Sequence, residues 1–488
     1  MKADITVNKK FTIGNIDKRL YGSFIEHIGR VVYEGIYEPE HTSSNQDGFR
    51  EDVISLVKQL GVSAVRYPGG NFVSSYNWED GIGDKSKRPK KINSSWNSIE
   101  TNQVGIDDFS KWAKDTNTEI MMAVNLGTRG AQDAQNLLEY CNLDTDTYYA
   151  NLRRQNGFEK PFGIKLWCLG NEMGGLGQIG RKTAEDYGKL ALETAKHMRR
   201  IDPSIELCAS GSSHINMPDF GKWDYTVLDY TYDFVDYISV HQYYSNSTVT
   251  EDYLARGEDL DSYIKSIVAI CDAVKAKKRS QKTINIAFDE WNVWTDGVLG
   301  NIPEFETAPH IGEMAYSLKD ALVVGTMLMT LQNNCNRVKI ACLAQLVNAI
   351  APIMTEKNGK AWVQTIFYPF MLASRFGQGT VLQQSLNCET YSTEKHKNIP
   401  YVASSVVYNE TAKEIYVFAV NRSMTEDIEL NINFENFGNC TLTEHIRLYS
   451  DNPNAVNTKD NEAVKPQKVV SDKTVLKKHS WNLLKYTY

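Results

Sequence analysis

Eight short apolar runs, each ending at a polar residue, constrain the fold of this chain more than any other feature of its sequence. Runs of this length and composition are typical of strands in a parallel sheet that helices cover on both faces. In chain order, the runs are residues 21–26, 62–67, 119–125, 164–172, 205–210, 236–241, 284–290 and 339–345.

Helical patterns lie between several of these runs. In residues 47–61, apolar side chains recur at helical spacing, and Gly61 follows as a C-cap. Similar patterns cover residues 182–201, 258–278 and 311–331. A strand followed by a helix, repeated eight times, predicts an α/β fold of the (β/α)₈ barrel type.

The polar residues at the ends of the runs would meet at one mouth of such a barrel. The C-terminal ends of the strands form the active-site rim in this fold, so polar side chains are expected there. These residues are Glu26, Arg66, Asn125, Glu172, Ser210, His241, Glu290 and Gln345.

After about residue 375, the apolar pattern changes to a period of two, which is typical of antiparallel strands. The sequence therefore predicts a catalytic barrel over residues 16–375 and a C-terminal antiparallel β-sandwich over residues 376–488. Residues 1–15 also alternate and would add a strand to the sandwich. One face of a sandwich strand would carry Ile428, Leu430, Ile432 and Phe434.

Composition excludes several classes of protein. The 488 residues carry a net charge of −7, which argues against a nucleic-acid binder, and the longest apolar stretch, residues 321–331, is too short to span a membrane. The first residues lack the apolar segment of a signal peptide, so we expect a cytoplasmic protein.

No histidine or cysteine pattern with metal-ligand spacing is present, and neither a metal nor a cofactor is predicted. Cys168, Cys208 and Cys342 lie in apolar runs and are expected to be buried thiols.

Glu172 and Glu290 end the fourth and seventh runs and are the strongest candidates for catalysis. Two carboxyl groups at one barrel mouth suit glycoside hydrolysis, in which one protonates the leaving oxygen and the other attacks the anomeric carbon or activates water. The structural alternative is that each glutamate caps a helix or pairs with a cation such as Arg66.

Five motifs, in order and at matching spacing, resemble glycoside hydrolase family 51, the α-L-arabinofuranosidases. They are YGSFIEH at 21–27, RYPGGN at 66–71, WCLGNEM at 167–173, SVHQYY at 239–244 and FDEWNVW at 288–294. The resemblance covers nearly the whole chain and includes the order of barrel and sandwich.

The resemblance implies a retaining, exo-acting enzyme with Glu172 as general acid/base and Glu290 as nucleophile. Their carboxyl groups are then expected to lie about 5–5.5 Å apart. It also implies that His241 supports the carboxylates, that Trp96 and Trp294 flank the cleft, and that a further set binds the arabinofuranosyl ring. That set is Glu26, Arg66, Asn71, Asn171, Tyr243 and Gln345, with Asn348 as a rival for the role of Gln345. Arabinan or arabinoxylan oligosaccharides would be the substrates, and the protein would be a homo-oligomer, often a hexamer in this family.

The chain departs from the family pattern directly after Glu172. The family usually carries a bulky Trp there, whereas this chain reads MGGLGQ over residues 173–178, so we expect the leaving-group side to differ from the family pattern. Residues 175–180 match the dinucleotide-binding pattern G-x-G-x-x-G, but no acidic residue ends the following strand, so we interpret them as a rim loop. The loop at 295–309 is short and would open the same side.

Three other functions fit part of the pattern. The first is another retaining glycosidase of the same barrel clan, acting on β-xylosides or β-glucans, since the carboxylate pair suits it equally well. The second is a metal-dependent sugar isomerase that uses Glu172, His241 and Glu290 as ligands. The third is a non-catalytic carbohydrate-binding protein with the sandwich as its binding module.

Overall fold

A closed barrel of parallel strands forms the first part of the molecule. The computed structural model of the chain describes residues 1–300, 304–470 and 473–488. Each predicted apolar run supplies one barrel strand, and the strands are neighbours in chain order, which confirms the predicted barrel. They are β2 (Gly22–Phe24), β3 (Ala64–Tyr67), β6 (Glu119–Ala123), β7 (Leu166–Leu169), β8 (Glu206–Ser210), β9 (Tyr237–Ser245), β10 (Asn285–Trp294) and β11 (Val338–Leu343).

Helices surround the barrel and connect its strands. They are α1 (Glu51–Leu60), α2 (Ile106–Thr116), α3 (Ala131–Asn142), α4 (Tyr148–Gln155), α5 (Ala184–Ile201), α6 (Lys222–Thr231), α7 (Thr250–Leu254), α8 (Arg256–Lys278), α9 (Leu318–Asn333) and α10 (Phe367–Phe376). Short 3₁₀ helices cover Lys18–Tyr21, Asn71–Ser75, Trp78–Gly81 and Lys85–Lys87. Helix α1 ends at Gly61, whose φ of 78° suits glycine.

Helix α9 begins later than the apolar pattern at 311–331 predicts. Ser317 caps the helix because its side chain accepts a hydrogen bond from the Asp320 backbone N–H, and Asp320 accepts one from Ser317 in return. This reciprocal cap fixes the first turn at Leu318. The apolar residues before it belong to the loop that leads into the helix.

Apolar side chains fill the inside of the barrel below its mouth. Cys168, Cys208 and Cys342, predicted to be buried thiols, belong to this interior cluster together with Met121 and Leu166. Burial raises the pKa of the Cys208 and Cys342 thiols well above their ordinary value. This apolar packing fills the barrel interior below the polar residues at the C-terminal ends of its strands.

The strands after the barrel form one large sheet, which the N-terminal strand joins. Strand β1 lies between β14 and β19, antiparallel to the first and parallel to the second. The sheet folds over itself, so the Phe434 ring of β19 contacts the Tyr486 ring of β25 at a centroid distance of 4.8 Å. Two layers therefore face each other, as expected of a sandwich, although hydrogen bonds join the strands into a single sheet. In spatial order, the strands of this sheet are β23 (Gln467–Lys468), β20 (Thr441–Leu448), β25 (Ser480–Thr487), β18 (Glu414–Asn421), β17 (Val402–Asn409), β14 (Thr380–Cys388), β1 (Lys2–Asn15), β19 (Ile428–Glu435) and β24 (Val475–Leu476).

Helix α9 connects the barrel to this sheet by close packing. A side chain at Gly325 would come within 2.4 Å of the Trp481 indole of β25, so only glycine permits this approach.

The domain boundary at 375/376 stays a prediction; α10 ends at Phe376 and β14 begins at Thr380. The remaining strands form short hairpins, β4 (Lys91–Asn93) with β5 (Ser98–Glu100), β12 (Ile353–Thr355) with β13 (Ala361–Val363), β15 (Thr390–Tyr391) with β16 (Ile399–Pro400), and β21 (Asn457–Thr458) with β22 (Asn461–Glu462). Among the described residues, no helix combines the length and the apolar character needed to cross a bilayer.

Candidate active site

Two neighbouring acidic residues of β10, Asp289 and Glu290, both reach the polar cluster around Arg66 and His241. Ala287 pairs with Ser239 of β9 and Glu290 pairs with His241, so three steps along β10 match two steps along β9. The extra residue is a β-bulge, which re-aims the side chains around it. Regular alternation would turn adjacent residues to opposite faces. The bulge therefore allows both carboxylates to reach the same polar cluster.

Protein donors hold the Glu290 carboxylate on both of its oxygens. Arg66 Nη1 donates to Oε1 at 2.6 Å, and the Tyr243 hydroxyl donates to Oε2 at 2.9 Å. The His241 Nδ1 atom lies 3.7 Å from Oε2. Burial raises the pKa of the Glu290 carboxyl, and the positive charges of His241 and Arg66 act in the opposite direction.

Glu172 approaches the same point from the loop that follows β7. Its backbone φ is +43°, a conformation that non-glycine residues rarely adopt and that is concentrated at functional sites. Its Oε1 atom lies 2.9 Å from His241 Nδ1, and 23% of its side chain remains exposed. One oxygen of Glu172, one oxygen of Glu290 and one His241 ring nitrogen all lie within 4.8 Å of one another.

Arg66, at the end of β3, connects several of the predicted residues. Its Nη2 atom donates to Asn171 Oδ1 at 2.6 Å, and its guanidinium group lies over the Phe24 ring at 4.8 Å. Its Nε atom lies 2.9 Å from Asp289 Oδ2, although this N–H is not aligned for a hydrogen bond. The contact with Asp289 is therefore mainly an ionic attraction. The guanidinium group is 1% exposed, so its charge acts within the cluster.

His241 lies between three carboxylates. Besides its contacts with Glu172 and Glu290, its Nε2 atom lies 3.1 Å from Ser239 Oγ and 3.4 Å from Asp289 Oδ1. Burial lowers the pKa of the imidazole, but the charges and hydrogen bonds of the three acids outweigh burial and raise this pKa to about 10. These contacts favour the protonated, cationic form of the ring.

Glu26 forms the opposite wall of the site. Its Oε1 atom accepts from the Phe72 backbone N–H at 2.9 Å and from Trp96 Nε1 at 2.8 Å. Gln345 Nε2 donates to its Oε2 at 3.1 Å, and Gln345 Oε1 accepts from the Glu26 backbone N–H. Burial, followed by the charge of Glu290, raises the pKa of Glu26 to about 7.

The Pro-Gly-Gly turn after β3 brings Asn71 to the site. The Asn171 side-chain amide donates to Asn71 Oδ1 at 3.5 Å. A Cβ atom at Gly70 would lie 3.1 Å from Glu290 Oε1 and 3.2 Å from Glu26 Oε2, which is closer than side-chain contacts normally are. Glycine at this position leaves the space between the two carboxylates open.

These residues surround a cavity of about 500 Å³ at the barrel mouth. The Tyr243 and Trp294 rings stack at its side, with centroids 4.5 Å apart and planes within 9° of parallel. Eight predicted site residues line the cavity: Glu26, Asn71, Trp96, Glu172, Tyr243, Glu290, Trp294 and Gln345. The other three, Arg66, Asn171 and His241, lie behind this lining and contact its carboxylates or amides. The structure thus brings all eleven predicted residues together.

Glu172, His241 and Glu290 have the spacing of a possible metal-ligand set. In this structure the three groups form a hydrogen-bonded cluster, in which His241 Nδ1 lies 2.9 Å from Glu172 Oε1 and 3.7 Å from Glu290 Oε2.

Comparison with known proteins identifies the family. A family model described as "Alpha-L-arabinofuranosidase 1 domain" matches residues 56–261, and one described as "Alpha-L-arabinofuranosidase C-terminal domain" matches residues 289–486. The chain is 51% identical to an intracellular exo-α-(1→5)-L-arabinofuranosidase of Acetivibrio thermocellus, over 99% of both chains. It is 52% identical to an enzyme of Bacillus subtilis named intracellular exo-α-(1→5)-L-arabinofuranosidase 1, over 95% of this chain and 93% of that one.

A solved family 51 α-L-arabinofuranosidase from Bifidobacterium longum is 40% identical and superimposes with a TM-score of 0.96 over 99% of both chains. The chain belongs to the α-L-arabinofuranosidases of glycoside hydrolase family 51. The resemblance that the five motifs indicate is therefore confirmed, and so is the assignment to glycoside hydrolases.

The loop after Glu172, where this family 51 chain departs from the pattern, forms one rim of the cavity. Gly175, Leu176, Gly177 and Gln178 line it, and Leu176 is 77% exposed. The Gln178 side chain anchors the loop, since its Oε1 accepts from Asn171 and its Nε2 donates to Ser74 Oγ. This placement agrees with a rim loop rather than a dinucleotide site. The prediction for the loop at 295–309 includes residues 301–303, which lie outside the described residues.

Sequence reasoning missed two functional candidates in this family 51 site, Asp289 and Ser239. Both stand within motifs that the sequence displays, but only the β-bulge of β10 places the Asp289 carboxylate beside Arg66 and His241. Asn348, the rival of Gln345, is fully buried elsewhere and bonds to the Arg30 carbonyl and to Thr355. Asn348 does not line the cavity, and Gln345 does.

Proposed function

We propose that this protein is a retaining, exo-acting α-L-arabinofuranosidase that removes terminal arabinofuranosyl residues from arabino-oligosaccharides. The observation that carries the proposal is the pair of Glu172 and Glu290 in one cavity at the barrel mouth, with an oxygen of each within 4.8 Å of the other. Family membership supports the sugar, and the names of two relatives support exo-action.

The surroundings of the two glutamates support different roles. Glu290 is 8% exposed, and Arg66 and Tyr243 hold it in place, as suits a nucleophile that must attack from a fixed position. Glu172 is more exposed and lies beside the rim loop, where a leaving group would depart. We therefore assign Glu290 as nucleophile and Glu172 as general acid/base.

In the first step, Glu290 attacks the anomeric carbon, the bond to the leaving oxygen breaks, and Glu172 gives its proton to that oxygen. In the second step, Glu172 removes a proton from water as the water oxygen attacks the anomeric carbon and releases Glu290. Arg66, Tyr243 and His241 stabilise the carboxylate form of Glu290 before attack and after release.

The polar groups opposite the glutamates suit a sugar ring with several hydroxyl groups. Glu26, Asn71 and Gln345 line the cavity and offer both donors and acceptors. Trp96 and Gln345 fix the Glu26 carboxyl, so its direction is set before a sugar binds. We propose that these residues, with Asn171 and Tyr243, bind the arabinofuranosyl ring, and that Trp294 flanks the entrance.

The short approach of the two carboxylates supports retention of configuration. Retaining enzymes separate the carboxyl groups by about 5–5.5 Å, whereas inverting enzymes need about 6.5–9.5 Å to admit water between them. Proton NMR of the first product tests this proposal directly. We expect α-arabinofuranose to appear before mutarotation, and initial formation of the β-anomer would overturn the double-displacement mechanism.

The choice of substrate is testable with a panel of compounds. Because the A. thermocellus and B. subtilis relatives carry names for intracellular exo-α-(1→5) enzymes, we propose cytoplasmic action on short α-1,5-linked arabino-oligosaccharides. The aryl α-L-arabinofuranoside should be cleaved far faster than aryl β-xyloside or β-glucoside, and the reverse order would favour another glycosidase of the barrel clan. Assembly into a homo-oligomer stays a prediction, which light scattering coupled to gel filtration tests.

A further inference from the structure

One acidic group of the cluster has no role in the proposed reaction. Asp289 is fully buried and does not line the cavity, so it cannot touch a bound sugar. A buried carboxylate is costly unless it is paired and hydrogen-bonded. Ser239 Oγ donates to its Oδ1 at 2.5 Å, and the Cys168 thiol lies 3.8 Å from its Oδ2.

The two cations of the cluster both contact Asp289. Arg66 Nε lies 2.9 Å from Oδ2, and His241 Nε2 lies 3.4 Å from Oδ1. On their other sides, the same two cations reach the catalytic pair: Arg66 donates to Glu290, and His241 contacts Glu172 and Glu290. Asp289 is thus one step removed from Glu290 through Arg66, and from both catalytic carboxylates through His241.

We infer that Asp289 is a positioning residue that holds Arg66 and His241 in the orientation from which they align Glu290 and Glu172. The inference rests on the proposed roles of the two glutamates. The inference also gives the β-bulge of β10 a function, because without the bulge Asp289 and Glu290 would not both reach the cluster.

The electrostatics of the cluster support this role. The charge of Arg66 and the hydrogen bond and charge of His241 lower the pKa of Asp289 although burial opposes them, so Asp289 stays a carboxylate. Asp289 in turn is one of three acids, with Glu172 and Glu290, that face His241 and keep it protonated. A neutral residue of the same shape would leave Arg66 and His241 with fewer anionic partners and more freedom to turn.

The variant Asp289→Asn keeps the shape and removes the charge. We expect kcat to fall about 100-fold, the loss typical of a reacting group displaced by about 1 Å, while KM changes less than about threefold because none of the proposed ring-binding residues contacts Asp289 directly. Since Glu290 attacks in the first step whatever the leaving group, the loss should appear on an activated aryl arabinofuranoside as well as on an oligosaccharide. The matched control is Asp107→Asn, another buried aspartate, which bonds to Tyr140 far from the cluster.

A second readout does not depend on activity. In substrate-free protein labelled with ¹⁵N-histidine, the His241 imidazole should titrate near pH 10, with its signal identified by its absence in His241→Gln. In Asp289→Asn, this midpoint should fall by about one pH unit or more, because one of the facing charges is gone. Asp107→Asn should leave it unchanged.

Ser239→Ala keeps the test decisive if Asp289→Asn does not fold. This variant preserves every charge but removes the hydroxyl that bonds to both Asp289 and His241, and we expect about a tenfold fall in kcat at constant KM. A normal His241 midpoint and wild-type kcat in both folded variants would overturn the role of Asp289. Wild-type protein inactive on all arabinofuranosides would instead refute the proposed function, and the titration would still test the contacts of Asp289.

Discussion

The two sides of the catalytic cavity are built in different ways. On the closed side, strands β3, β9 and β10 fix Arg66, His241 and Glu290 through several contacts each, and all three are nearly buried. On the open side, the loop after β7 carries Glu172 and ends in an exposed stretch around Leu176. A Cβ atom at Gly177 would meet nothing within 4 Å.

We infer that this difference separates the chemistry from the choice of leaving group. Strand ends in a barrel are rigid, and residues there hold reacting groups within the narrow limits that catalysis needs. Loops tolerate changes in length and sequence, so they can adapt to different leaving groups. Variants on the closed side should therefore affect every substrate alike, and variants on the open side should affect substrates according to their leaving groups.

Glu290→Ala should have the largest effect. Without the nucleophile, no covalent intermediate forms, and we expect more than about a 10⁴-fold loss on oligosaccharides and aryl glycosides, beyond the range of general acid–base catalysis alone. The hydrolysis rates of aryl arabinofuranosides whose phenol leaving groups differ in acidity measure this loss, and no burst of phenol should appear. Azide should yield at most the β-azide, so an α-azide product would contradict this role for Glu290.

Glu172→Ala should have a smaller effect that depends on the leaving group. A sugar hydroxyl needs protonation and should lose about 10²–10⁴-fold, whereas 4-nitrophenol leaves nearly unaided and should lose much less in the first step. The second step also needs Glu172 as base, so the intermediate should accumulate and give a burst. Azide needs no base and should restore turnover with formation of the α-azide. Equal losses on every leaving group, without a response to azide, would contradict the assignment.

Glu26→Gln tests, through stability, the wall of the cavity that lies opposite Glu290. The pKa of Glu26 is raised from 4.5 to about 7, so the folded state retains a proton that the unfolded state has released at intermediate pH. The contribution of Glu26 to the free energy of unfolding is complete below pH 4.5. It is lost as pH rises to about 7, and the total loss is about 3 kcal/mol. The glutamine side chain of the variant cannot ionise, so the stability of the variant relative to wild type should improve over this window. Urea unfolding at several pH values measures the difference, with the exposed Glu40→Gln as control; parallel curves for Glu26→Gln and wild type would show that Glu26 ionises normally.

The fold was predictable because its signals are local. Each buried strand shows an apolar run, and each run ends where the barrel opens to solvent, so polar residues such as Arg66 and Glu172 stand out in the sequence. The capping of α9 by Ser317 shows the limit of these local signals, since the apolar pattern begins before the residue at which the cap starts the helix. The parallel pairing of β1 with β19 joins residues more than 400 positions apart, and no local pattern specifies it.

The site was predictable mainly through resemblance. Strand ends indicated Glu26, His241 and Gln345, but the ring-binding set and the two catalytic roles came from the family motifs. Asp289 was missed although it precedes Glu290, because strict alternation turns neighbours apart and a bulge cannot be read from composition.

Leu176→Ala should have the smallest effect and tests the open side. Leu176 lines the cavity beside Glu172 yet is 77% exposed, so in the free protein its apolar surface faces water. A leaving sugar that covered about half of this side chain would gain about 1 kcal/mol, so the variant should lose about fivefold in kcat/KM on an α-1,5-linked arabinotriose. Methyl α-L-arabinofuranoside has too small a leaving group to reach Leu176, and its kcat/KM should not change. Val249→Ala, another exposed apolar residue that lies outside the cavity, serves as the control. If Leu176→Ala lowered kcat/KM equally for both substrates, the loop would act on Glu172 rather than on the leaving group, and the two sides of the cavity would not be separable.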